Sequence, residues 1–222
     1  MANRTPVLLG IGAALLVGAG AWIATDVLAE PDPIMDVLSI CETVPDKATA
    51  DTSMASLGWD PMPDALYDDM NKSAALFFVA LRRSSMDDFD FDAEQSLFDQ
   101  RLADNAAKLG NYEAQAYVAP DGIGFAQIEW IVDLPNTVAC DVMLPAPANT
   151  DAFADVIRDG EAQGDRRAWS QSLMSMDQRP RPGLWVASLV EIDGDPDLTT
   201  FFGGPVIRTV FATAAYRGEI SQ

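Results

Sequence analysis

"YVAPDGIGFAQIEWIVDLPNTVACDVML", residues 117–144, is the stretch on which the fold turns. Ala126, Ile128, Trp130 and Val132 alternate with Gln127 and Glu129, the period of two that a half-buried strand shows. Asp121-Gly122 ahead of them is a hairpin signal, since a type I′ turn needs positive φ at its centre. Pro135-Asn136 marks a second turn. Residues 112–119, 123–132 and 137–144 therefore read as three successive strands. In the third, Val138, Cys140, Val142 and Leu144 share one face.

Beyond this run the spacing predicts a helix over about 150–163, with Phe153, Val156 and Ile157 inward and Thr150 or Asn149 as its cap. Strand-like segments follow at 168–176, 184–192 and 205–216. Before the run, Leu66, Met70, Ala74, Phe77, Phe78 and Leu81 repeat at helical spacing, although AALFFVAL within them also has strand composition. A second helix is expected from about Ala93 to Leu109, stopped by Gly110, and a short one over 33–44. SLGWDPMPD, residues 56–64, is a turn-rich link. Helices followed by two three-strand runs around one helix predict an α+β fold. Its antiparallel sheet packs with several helices, and an N-terminal apolar export helix precedes it. The order βββ-α-βββ hints at a duplication, but the residues do not visibly repeat. Residues 30–222 read as one exported domain, without linker or low-complexity segment.

Residues 1–29 are a signal peptide or an N-terminal membrane anchor. Residues 7–24, VLLGIGAALLVGAGAWIA, are uncharged, and as a helix would span about 27 Å. Arg4 precedes the run and Asp26, Glu30 and Asp32 follow it, which places the domain outside the cytoplasm. Val27-Leu28-Ala29 fits a cleavage site after Ala29, with the domain then periplasmic or extracellular. Gly10, Ala14 and Gly18 at four-residue spacing fit a retained, packed span instead. Ile40 before Cys41 is too bulky for a lipoprotein site.

Export makes a disulfide permissible, and with two cysteines the one intramolecular pairing is Cys41–Cys140. It would tie the first helix to the sheet. Closing a loop of about 100 residues stabilises by about 4 to 5 kcal/mol on the chain-entropy model. The close C-x-x-C spacing of redox pairs is absent.

The formal charge is −20, and because residues 1–29 hold one cation (Arg4) and one anion (Asp26), residues 30–222 also carry −20. Such a surface repels phosphate backbones, so no nucleic-acid partner is expected. An envelope protein or a cationic ligand is the expected partner, with membrane contact only through residues 7–24 if they are retained. The chain has no histidine, which removes Ser-His-Asp and Cys-His catalysis and the usual zinc, copper and non-haem iron ligand sets. No nucleophile elbow, Walker loop or dinucleotide-binding motif is present.

Three stretches are candidate sites. In MDDFDFDAE, Asp87, Asp88, Asp90, Asp92 and Glu94 could offer oxygens to a hard cation, but Asp92 also suits a helix N-cap. In EIDGDPDLTTFFGGP, Asp193, Asp195 and Asp197 have the opening spacing of a calcium loop, so calcium is the one cofactor considered. The sixth position, Leu198, and the twelfth, Gly204, depart from that motif. Phe201 and Phe202 beyond them form either an exposed recognition tip or a pair tucked under the sheet. The third stretch is basic: Arg158, Arg166, Arg167, Arg179 and Arg181, with Trp169 and Trp185, form a possible interaction patch.

The expectation is an exported envelope protein that binds or scaffolds, with no catalytic residue assigned. Two alternatives stand beside it, a carboxylate-dependent hydrolase and a single-span accessory subunit of a membrane complex.

Overall fold

A computed structural model describes residues 32–43, 46–85, 90–110, 114–132, 134, 136–158, 169–173, 183–192 and 196–217. These belong to one compact unit, Asp32–Gln222. The apolar N-terminal segment lies outside the described residues. No helix among the described residues is long and apolar enough to cross a membrane.

The protein is α+β, with a seven-stranded antiparallel sheet. Two helices come first, α1 (Pro33–Glu42) and α2 (Lys47–Ser56). The two-residue strand β1 (Asp60–Pro61) leads to α3 (Tyr67–Ser85) and α4 (Phe91–Gly110). Then come β2 (Ala114–Val118), β3 (Phe125–Trp130), β4 (Thr137–Leu144) and α5 (Asp151–Arg158). The chain closes with β5 (Trp169–Leu173), β6 (Leu184–Glu191), α6 (Pro196–Phe202) and β7 (Val210–Arg217).

The two three-strand runs form a single sheet in the order β1-β2-β3-β4-β7-β6-β5. After β4 the chain crosses through α5 to the far edge and returns strand by strand. The last strand of the second run, β7, therefore pairs with the last strand of the first, β4, from Thr137↔Arg217 to Leu144↔Val210. The six strands are two meanders joined back to back.

Cross-strand register sorts the side chains onto two faces. On one face Ala126, Cys140, Val142, Leu189, Ala212 and Ala214 are all buried, beneath apolar residues of α1, α2 and α5. α1 lies over β4 and β7, where Ala212 and Ala214 leave room for it. Its buried stripe is Ile34, Val37, Leu38 and Cys41, at helical spacing. Asp32 caps it, accepting from Met35 N at 3.0 Å, and Pro33 starts it, where a missing N–H does no harm.

On the other face Phe125, Met143, Phe211 and Val190 form one register row beneath α3, α4 and α6. Phe77 of α3 stacks on Phe211 with ring centroids 5.5 Å apart. AALFFVAL is thus helical: its residues bury one helix stripe against this row, which overrides their strand composition. The next row is polar throughout, Gln127, Asp141, Thr213 and Ser188.

Three local readings change. The hairpin between β2 and β3 closes at Ala119 and Gly124 through a longer loop, not a two-residue type I′ turn. In that loop Gly122 has φ +73° and Asp121 does not have positive φ. Asp121 instead accepts from Ile123 N at 2.8 Å and Gly124 N at 3.0 Å, an Asx-type brace. Helix α2 was not foreseen, because Ala50 and Met54 are its only buried residues and two positions make no visible period. The connection from β6 to β7 holds α6 in place of an irregular loop.

Candidate functional site

The disulfide Cys41–Cys140 is present, with Cα atoms 6.3 Å apart and both residues fully buried. It fastens α1 to the middle of β4. Bonds of this kind persist in oxidising, non-cytoplasmic compartments.

Among the described residues no group of three or more acids could hold a metal ion. Asp87 and Asp88 lie outside the described residues. Asp90, rather than Asp92, caps α4, accepting from Asp92 N at 3.0 Å. Glu94 is buried and takes two hydrogen bonds from Arg82, from Nε and Nη2, each 2.7 Å. That bidentate pair joins α3 to α4 and holds the Arg82 guanidinium above its ordinary pKa.

Of the calcium-loop acids, Asp193 and Asp195 lie outside the described residues. Asp197 stands in the first turn of α6 with its side chain 58% exposed, 3.7 Å from Arg83 Nη2. Phe201 sits between Phe91 and Phe98, with centroids at 5.4 and 5.3 Å. Phe202 is half-buried against the same cluster. Both rings pack on the α3–α4 side of the molecule. In the basic stretch Arg158 ends α5, Trp169 begins β5 and Trp185 lies in β6. Arg166, Arg167, Arg179 and Arg181 lie outside the described residues.

One cation outside that stretch has a built environment. Arg208, 6% exposed, precedes β7. Its Nε donates to the Ile123 carbonyl at 2.6 Å, and its Nη1 to Asp69 Oδ2 at 3.0 Å and Ser73 Oγ at 3.3 Å. Its guanidinium lies 3.5 Å from the centroid of Phe125. Burial lowers its pKa, and Asp69 opposes that shift. Arg208 therefore ties α3, the β2–β3 hairpin and the approach to β7 together. A lone arginine in GGPVIRTV gives no sequence sign of this.

The β2–β3 hairpin, the link from β4 to α5 and the link from β6 to β7 meet at this end of the sheet. There a cleft of about 450 Å³ opens, lined by Ala146, Pro147, Ala148, Thr150, Glu191, Ile192, Thr209 and Val210. Leu144, Val210 and Glu191 are successive register partners, so they occupy one row of the α1–α5 face. Alternation in β6 puts Ala187 and Leu189 on that face and then, in the same phase, a carboxylate. Thr150, at the start of α5, donates its hydroxyl to Glu191 Oε1 at 2.8 Å. Among the described residues no other side chain bonds that carboxylate. The buried hydroxyl of Thr209 has no hydrogen-bond partner. The cleft thus combines one oriented anion with walls of alanine, proline, isoleucine and valine. Sequence reading missed Glu191 because a single acid at a strand end looks like a solvated terminus.

No family model, no curated protein and no solved structure matches this chain.

Proposed function

We propose that this is an exported domain that binds a partner or ligand outside the cytoplasm and does no chemistry on it. The observation that carries this reading is the Glu191 cleft, whose carboxylate pairs with no cation among the described residues, in a chain of charge −20. An anion so placed favours a cationic group over an anionic or neutral one. The partner is an envelope protein or a small cation. The buried Glu94 and the half-exposed Asp69 are each bonded to an arginine. Hydrolysis by paired acids needs two that face each other across a cleft.

Intact mass of the native protein, with alkylation before and after reduction, tests the export half of the reading. A chain beginning at Glu30 whose thiols appear only on reduction is the expected result. A full-length oxidised chain in the membrane fraction keeps the reading and makes residues 7–24 its anchor. Free thiols in a cytoplasmic chain overturn it.

A further inference from the structure

On the reading that the domain binds rather than catalyses, we propose that the Glu191 cleft receives an alkylammonium or alkylguanidinium head group. Three properties of the cleft select that chemistry. First, the described lining of the cleft holds one acid, Glu191. A calcium ion needs six to eight oxygens, and no group of three or more acids that could hold a metal stands among the described residues. One carboxylate suits one organic cation through a charge-assisted hydrogen bond. Second, the carboxylate is oriented but not consumed. Thr150 holds Oε1, and Oε2 takes no hydrogen bond from the described residues. Third, the remaining lining is largely apolar, from Ala146, Pro147, Ala148, Ile192 and Val210. Such walls accept the methylene stem that carries an ammonium or guanidinium group. Volume agrees: about 450 Å³ is in the range of small-ligand sites and far above what a bare ion needs.

The position of Glu191 points the same way. Among the paired residues of β6, Ala187, Leu189 and Glu191 face the α1–α5 side, and the first two are fully buried in the core. An acid in that phase breaks the strand's pattern, and residues that break a local rule concentrate at functional positions. The same head group could be a lysine or arginine side chain of a partner protein, or a free polyamine.

The test uses the full oxidised chain and follows backbone amide NMR shifts during titration with n-butylammonium, n-butanol or calcium. We expect butylammonium to move the amides of Ala148, Thr150, Ile192 and Val210, and butanol and calcium to leave them in place. Glu191→Gln keeps an acceptor for Thr150 and removes the charge. It should weaken butylammonium binding about tenfold or more. Ala148→Leu keeps the charge and fills the cleft, and should also reduce binding, which covers the case in which Glu191→Gln fails to fold. N-acetyl-lysine methylamide binding more tightly than cadaverine assigns the head group to a partner protein, and the reverse order assigns it to a polyamine. Equal shifts from butanol or calcium, unchanged binding by Glu191→Gln, or no shifted amide each overturn the proposal. A failure here with an exported, oxidised chain sinks the cleft assignment alone, while free thiols in the cytoplasm sink the export reading alone.

Discussion

The two faces of the sheet are held to their helices by different means. Toward α1, α2 and α5 the rows are apolar, rich in alanine and fastened by a covalent bond at Cys140. Toward α3, α4 and α6 one aromatic row is followed by a polar one, and charged clamps at Arg82–Glu94 and Arg208–Asp69 hold the elements in place. Ala212 and Ala214 leave room for α1 to lie close to the sheet, and the disulfide fastens it there. On the second face Phe125 and Phe211 are fully buried rings, and no disulfide joins it to its helices. The difference teaches that one face secures its helix covalently and the other secures its helices with charge-assisted hydrogen bonds.

The contrast can be broken most decisively at the disulfide. Replacing Cys41 and Cys140 together by alanine should cost about 4 to 5 kcal/mol on the chain-entropy model, read by calorimetric or denaturant unfolding. A loss under about 1 kcal/mol would mean that packing alone holds α1 and would erase the distinction between the faces. On the second face, Phe211→Ala should cost about 3 kcal/mol, because it removes a fully buried ring that stacks on Phe77. Denaturant unfolding would show it, and a near-neutral result would transfer the work of that face to its charged clamps.

Arg208→Ala should cost about 2 kcal/mol, less than a fully buried pair, because Asp69 is about half exposed and regains water. Hydrogen exchange should then rise in the β2–β3 hairpin and at the approach to β7 before it rises in the sheet. Uniform exchange would show that Arg208 is not a local clamp.

The smallest effect is at Tyr117, whose hydroxyl donates to Asp51 Oδ1 at 2.8 Å and ties α2 to β2. Burial first, then the bond to Asp51, raise its pKa above the ordinary phenol value near 10. The folded state therefore prefers the neutral phenol. Its contribution is complete below pH of about 10 and is lost as pH rises beyond that value. Tyr117→Phe should cost about 1 kcal/mol at neutral pH and flatten the alkaline fall in melting temperature. An unchanged alkaline slope would assign that fall to other groups.

Much of this fold was legible in advance. Alternation in 126–132 and 138–144 set the strands, their inward faces and the side from which Cys140 bonds. Helical spacing placed α1, α3 and α4. α2 and α6 were not legible, because each buries too few residues to make a period. The candidate site was less legible still. Glu191 and Thr150 are 41 residues apart and become a site only when β6 runs beside the start of α5. Arg208 and Asp69 are 139 apart.

By itself the sequence determined what depends on local order: the α+β class, the antiparallel strands, the single possible cysteine pair and the exclusion of histidine chemistry. Periodicity and composition are properties of neighbours along the chain, and these conclusions need nothing else. Tertiary structure alone decided that β7 joins β4, that the two meanders are one sheet, and that Glu191 meets Thr150 in a cleft. Strand order depends on which distant faces bury each other. Pairwise burial between remote segments leaves no trace in the local pattern of either one.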